Sequence, residues 1–475
     1  MLGIEAYGVV GFYSMLFGVF SFANVGLTAT LSRELARLTG ESDSLFEMRD
    51  LTRTLELVFR GIAVGVAAIV VLLAPLIAEY WVNVQSVSIE AATNGVRLMG
   101  IAMALRFPTD LCHGGLLGLQ QQIASNTIVA GMGTTRGFGA VVVLWILSPT
   151  IEAFFYWQII VNLIESIVVS HVLWHCLGPK DKPCHFRLSS LQSTWRYAAG
   201  MTGISVVSIM LSEIDKLTVS KMLSLEAFAV YSVASIVSRA PIMIGGPIAD
   251  AIFPRLTQLV QQKELTQVAR LYHHGCQLVS VVAIPIGLVI AFFSRELIQI
   301  WTQNHEIANE SCWPATILVL GTTSLSLLIV PYRLALSNGW TSLNLIIGAV
   351  SVVVIIPLIV VLTYLIGVVG AATGWLVLNL GITAPFIYLL HRRVLPGATW
   401  RYYLQDVAAP LISSLSILLC GRYVISENQG QVMQLIGIVA IWVLAVVAAV
   451  ISVPTIRGVI ATQLQSRFGL VYRSR

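Results

Sequence analysis

The sequence predicts an all-α, polytopic membrane helix bundle, and three observations carry that prediction. Hydrophobic residues make up 57% of the 475-residue chain and charged residues only 11%. The apolar residues gather in stretches of roughly 20, the length of helix that crosses a bilayer core about 30 Å thick. Basic residues gather in alternate connections between those stretches, as retention of Lys and Arg on the cytoplasmic side requires. Because unpaired backbone amides are too costly in lipid, each stretch is expected to satisfy its own amides as helix.

Thirteen spans are expected, at 7–31, 57–80, 96–118, 124–148, 153–177, 198–222, 227–252, 275–297, 313–336, 342–363, 366–390, 405–425 and 432–456. One set of connections holds Arg33, Arg37, Arg49 and Arg53, then Lys180, Lys182, Arg187 and Arg196, then Arg255, Lys263 and Arg270, then Arg392, Arg393 and Arg401. The C-terminal tail adds Arg457, Arg467, Arg473 and Arg475, whereas the connections at 81–95, 149–152, 298–312 and 364–365 hold no Lys or Arg. The C-terminus is therefore expected in the cytoplasm and residue 1 outside it. No cleavable signal is evident. The odd count, and an opening Leu2-Gly3-Ile4-Glu5-Ala6-Tyr7-Gly8 that reads like a loop between helices, lead to the expectation of one further helix before Met1.

The net charge of +5 is too mild to imply nucleic acid, and the six cysteines, mostly in or beside apolar segments, are expected to be small core residues. The segment Gly131-Met132-Gly133-Thr134-Thr135-Arg136-Gly137 fails as a dinucleotide loop, since Arg136 stands where the third glycine belongs and no strand precedes it. Nothing matches a phosphate-binding loop for ATP, and no cofactor is expected. His171 and His175 have the spacing of half a metal site, but no Glu or Cys completes it, so they are expected as interfacial histidines and no metal is expected. Glu5-Ala6-Tyr7 is echoed by Glu226-Ala227-Phe228, an offset of 221, and Gln120 with Asn126 by Asn338 with Asn344, an offset of 218. Such a duplication is expected of transporters built from two repeated halves.

Ionisable groups inside a bilayer usually face a bundle interior or a wet cavity. Arg106, Arg136 and Arg239 are expected near mid-span, and Lys216 in the outer part of 198–222; these four are the candidate substrate-binding residues. A cationic set suits an anionic substrate, and a guanidinium offers the fork of donors that phosphate oxygens accept. Asp110, four residues after Arg106 and on the same helical face, with Glu165 and Asp215, are the candidates for ion coupling. The alternative for all of them is mutual pairing that fixes helix packing. Arg60 and Arg333 are expected to reach the membrane surface along their own stems.

Several segments together resemble the bacterial O-antigen and polysaccharide-repeat flippases of the multidrug/oligosaccharidyl-lipid/polysaccharide exporter superfamily. They are the opening segment, Phe22-Ala23-Asn24-Val25-Gly26-Leu27 with Arg33-Glu34, Arg106-Phe107-Pro108 leading to Leu116-Leu117-Gly118-Leu119-Gln120 and Asn126, and Asp215, Ser220, Tyr231 and Phe253-Pro254-Arg255-Leu256. The resemblance implies two pseudo-repeated six-helix lobes plus a C-terminal helix pair, with the first family helix absent here. On that basis 1–180 is expected as the N-terminal lobe, 181–400 as the C-terminal lobe, and 401–475 as the terminal pair and tail. It also implies translocation of a polyprenyl-pyrophosphate-linked oligosaccharide from the cytoplasmic to the periplasmic leaflet of the bacterial inner membrane, by alternating access through a central cationic cavity. Expected partners are that lipid-linked substrate, membrane lipids, and the polysaccharide polymerase and glycosyltransferases of the same pathway, with no nucleic acid. The family usually has Asp where Asn24 stands, which argues against ion coupling there.

Two other readings make different demands on the sequence. A multidrug or cation antiporter of the same superfamily predicts acidic cavity residues, whereas this chain leans basic. A membrane-embedded glycan polymerase or ligase needs catalytic groups outside the membrane. The outer connections offer Glu90, His305, Glu306 and Glu310 but no room for a sugar-binding domain, so no enzyme is expected.

Overall fold

The structure, a computed structural model, describes residues 4–20, 22–39, 45–81, 89–178, 184–423, 425 and 430–453. Expectations about Met1–Gly3, Lys180, Lys182 and the tail arginines fall outside the described residues, as do the side chains of Phe22–Val25. Among the described residues there is no strand. The helices are α1 Ile4–Phe20, α2 Phe22–Leu38, α3 Leu45–Tyr80, α4 Ile89–Gly118, α5 Gln122–Ile146, α6 Ile151–Cys176, α7 Leu188–Met222 and α8 Leu225–Ser238. They continue with α9 Ala240–Gln261, α10 Leu265–Phe292, α11 Ser294–Thr302, α12 His305–Ser337, α13 Thr341–Val394 and α14 Ala398–Arg401. A π-helical segment, Tyr402–Ala408, then leads into α15 Ala409–Arg422, and α16 Gln431–Ser452 follows.

Nine helices among the described residues are long and apolar enough to cross a membrane. Many of their large apolar side chains point outward, Leu72, Trp145 and Val353 among them, which is the arrangement of a chain whose solvent is lipid. The 54 residues of α13 exceed any bilayer at about 1.5 Å rise per residue, and the chain breaks at Ile366 and Gly367. Gly367 takes φ +61°, open to glycine without strain, and the two halves fold back so that Gly374 lies against Ile359. This helix therefore carries two of the expected spans.

The chain forms two compact units, 1–229 and 230–475. In the first, α4 packs against α2, α3 and α6, around Leu31, Leu35, Leu55, Phe59, Phe107 and Leu173. Gly114 and Gly118 let α2 approach closely: a Cβ at Gly114 would lie 2.4 Å from Thr28 Cγ2, and one at Gly118 would lie 2.4 Å from the Ser32 carbonyl oxygen. Small residues one turn apart are a membrane helix's means of close packing, because lipid supplies no hydrophobic drive between helices. Helix α7 packs on α1, α2 and α3 within this unit.

In the second unit, α10 is the central helix. Its partners are α9, α12, the π-helical segment, α15 and α16, with Tyr272, Cys276, Val279, Phe386, Leu390 and Tyr402 in the core. Ile284, Leu288, Phe293, Leu418 and Ile441 dock the terminal helices onto it. All six cysteines are free; Cys112 and Cys276 are buried as expected, whereas Cys176 and Cys420 are exposed.

Candidate functional site

In the first unit, three neighbouring helices bring polar groups together at mid-span. Arg136 of α5 donates to the carboxylate of Glu165 on α6 and, at 3.1 Å, to the amide oxygen of Asn162 one turn earlier. Asn162 is itself held by α4, donating to the Ala102 carbonyl at 2.9 Å. The other Glu165 oxygen lies 3.7 Å from His113 Nε2 on α4, and His113 Nδ1 is 2.9 Å from Ser125 Oγ of α5. Trp157 Nε1 donates to the Arg136 carbonyl at 3.3 Å, fixing α6 on α5. Two buried nitrogens of this cluster, Arg136 Nε and His113 Nε2, have no hydrogen-bond partner among the described residues. Glu165 thus stands between a guanidinium and an imidazole, a carboxylate whose charge both neighbours influence.

Arg106, at the middle of α4, is placed differently. Its guanidinium lies 4.1 Å from the centre of the Phe17 ring of α1, an attraction of the ring face for a cation. No carboxylate lies within ion-pair distance of it among the described residues. An aromatic face stabilises a cation without neutralising it, and the carboxylate that Arg106 feels is Glu165, beyond ion-pair distance.

The remaining candidates separate. Lys216 of α7 is paired with Glu213, one turn before it, rather than with the neighbouring Asp215. Asp215 is buried. Arg239 sits in the break between α8 and α9, with Pro241 following, and is exposed. Arg333 is paired with Asp250 and lies 5.5 Å from the Phe253 ring. Arg60 is half exposed and donates to Glu56 at 2.6 Å. No group of three or more His, Cys, Asp or Glu side chains placed to hold a metal ion occurs among the described residues.

Two polar features escape sequence reasoning. One is His113, whose part in the Glu165 cluster depends on α4 meeting α6. The other lies in the second unit, where His273 and Gln277 of α10 both hydrogen-bond the carboxylate of Asp406, in the π-helical segment; the Gln277 bond is 2.8 Å. Beside them Tyr272 Oη is 2.7 Å from His391 Nε2, and Tyr402 donates to the Leu327 carbonyl at 3.1 Å. Asp406 and His391 are fully buried. A π-helical turn widens the backbone by one residue and often accompanies functional positions; here it carries both Tyr402 and Asp406 into the core.

Comparison with known proteins places this architecture. The sequence profile of a family described as "Polysaccharide biosynthesis protein" matches residues 1–305. A Shigella flexneri protein named "Putative O-antigen transporter" is 21% identical over 383 residues, covering 79% of this chain and 87% of its own length. Among solved structures, the lipid II flippase MurJ in an inward closed conformation aligns with a TM-score of 0.69 at 15% identity, covering 94% of this chain and 92% of that one. An inward-facing multidrug resistance MATE family transporter of the MOP superfamily aligns with a TM-score of 0.68 at 12% identity, covering 84% and 92%. At those identities the structural likeness establishes the fold alone. Since the profile covers well over half of the residues, the chain belongs to the polysaccharide biosynthesis protein family.

Proposed function

We propose that the chain moves a polyprenyl-pyrophosphate-linked oligosaccharide repeat unit from the cytoplasmic to the periplasmic leaflet of the bacterial inner membrane, by alternating access, for O-antigen or exopolysaccharide synthesis. The observation that carries this reading is Arg106: a guanidinium at mid-span, resting on an aromatic ring and paired with no carboxylate among the described residues. A charge at that depth costs about 2.5–3.5 kcal/mol on insertion scales, and an anionic ligand offsets that cost. Pyrophosphate oxygens match the guanidinium's parallel donors. The relative named as an O-antigen transporter and the neighbour titled a lipid II flippase support a lipid-linked glycan as the substrate class.

In this reading Arg136, Arg239 and Lys216 are further cations on the substrate's route. Asp110, Glu165 and Asp215 are the ion-coupling carboxylates, with Glu165 foremost because it faces both Arg136 and His113. The basic connections lie in the cytoplasm, where glycosyltransferases deliver the substrate, and a polymerase receives it on the other side. Deleting the gene abolishes surface polysaccharide and leaves the lipid-linked unit on the cytoplasmic face. The unmodified gene restores the polymer and Arg106→Ala combined with Arg239→Ala does not; full rescue by that double variant rejects the arginine mechanism.

A further inference from the structure

The first unit carries a groove that the transport reading does not use. It has a volume of about 760 Å³ and runs between α3, α4 and α6. Arg60, His171 and Trp174 line one end, Leu105 and Leu163 the other, with Ser166 and Ser170 between. From Leu163 to Trp174 α6 advances eleven residues, about 16 Å at the helical rise, close to half of a bilayer core about 30 Å thick. The groove is therefore one leaflet deep. Its polar end lies toward the ends of α3 and α6 that adjoin the basic connections holding Arg49, Arg53 and Arg187, which places that end in the cytoplasmic leaflet.

The chemistry changes along the same axis. Val64 and Ile167, which flank the opening, are exposed apolar side chains of the kind that face lipid. At the polar end Arg60 donates to Glu56 from one nitrogen, and its other N–H groups have no partner among the described residues. Glu56 is also paired with Arg53 at 3.2 Å, so one carboxylate is shared by two guanidinium groups and a positive charge is left over. His171 adds an exposed imidazole, and Trp174 supplies the amphipathic ring typical of the headgroup level. A surplus cation above an apolar trough fits an anionic amphiphile with its head at the interface and its chain in the leaflet.

We propose that this groove is a binding site for an anionic glycerophospholipid of the cytoplasmic leaflet, its phosphate held by Arg60 and His171 and an acyl chain lying along Leu163 and Leu105. The site stands apart from Arg106 and does not depend on which substrate is carried.

The test uses the full chain purified in neutral detergent, loaded with phosphatidylglycerol or with phosphatidylcholine of identical acyl chains, and bound lipid is counted by native mass spectrometry. Phosphatidylglycerol is expected to be retained over phosphatidylcholine by about five-fold, the preference that one basic side chain at an anionic surface supplies. Arg60→Gln combined with His171→Gln abolishes the preference, and Ser166→Trp, which fills the groove and leaves its charges in place, lowers phosphatidylglycerol retention. Arg255→Gln, an exposed cation elsewhere, leaves it unchanged. Melting temperatures in phosphatidylcholine show that each variant folds; should the charge variant fail to fold, Ser166→Trp decides alone. Absence of any preference in the unmodified chain, or retention of it by the folded variants, overturns the proposal. So does Arg60-dependent retention of a polyprenyl phosphate with no retention of phosphatidylglycerol, which assigns the groove to the pathway's own lipid.

Discussion

Arg136 of α5 and Glu165 of α6 form an ion pair in which the guanidinium also holds Asn162, and Asn162 in turn holds the α4 backbone at Ala102. One pair therefore ties three helices together, with side chains 19% and 8% exposed. Glu165→Gln leaves the arginine charge without its counter-ion and is expected to destabilise the first unit by about 3–5 kcal/mol, the usual effect of removing one member of a buried pair. Replacing both members, Arg136→Met with Glu165→Leu, recovers most of that loss. Denaturation of the purified chain, followed by helical circular dichroism, checks both statements.

The same pair shows how far the sequence is legible. Both residues stand out as charges at mid-span, and the spans themselves follow from apolar length, because a bilayer forces each stretch into helix. What one sequence does not reveal is which charges meet. Lys216 is adjacent to Asp215 in sequence, yet it pairs with Glu213, because a helix turns consecutive residues to different faces and brings the third residue back. Arg106 shares a helical face with Asp110, yet its guanidinium rests on the Phe17 ring of α1, a contact between helices that spacing along one helix does not reveal.

His273 and Asp406 were hidden for a different reason. They are 133 residues apart, and Asp406 falls at the very start of an expected span, where a carboxylate reads as interfacial; only the π-helical turn carries it inward. The readable signal was Gln277, a polar residue four after His273 inside an apolar stretch.

The buried His273–Asp406 contact docks the start of the terminal helix pair onto α10. His273→Ala and Asp406→Ala are each expected to destabilise the second unit by about 2–4 kcal/mol, because each leaves a buried polar partner unsatisfied. The double variant should lose less than the sum, with a coupling of about 1–3 kcal/mol. A double-mutant cycle on chemical denaturation measures it, and strict additivity would show that the two side chains do not interact.

Close approach of α2 and α4 makes a sharper steric statement. Gly118→Val places a side chain against the Ser32 backbone carbonyl, which cannot move aside as a flexible side chain would. A loss of about 1–3 kcal/mol is expected, seen as reduced yield and a lower melting temperature. Gly131→Ala meets nothing within 4 Å and should match the unmodified chain in both assays.

Phe17→Leu removes the ring beneath Arg106 and keeps the bulk. It is expected to lower transport by about 5- to 30-fold, since a desolvated cation–π contact contributes about 1–2 kcal/mol. Arg106→Lys keeps the charge and loses the bidentate fork, and should transport less well than the unmodified chain. Complementation of the deletion strain, with surface polymer quantified, ranks the variants.

The most direct measurement is flipping by the purified chain reconstituted in vesicles with a fluorescent polyprenyl-pyrophosphate oligosaccharide, where an impermeant quencher reports the fraction of label that has crossed. The unmodified chain is expected to redistribute the label between leaflets, and Arg106→Gln to slow that redistribution by about ten-fold or more, the loss of one charge-assisted contact to the substrate. Equal rates for the Arg106→Gln variant and the unmodified chain would contradict the account.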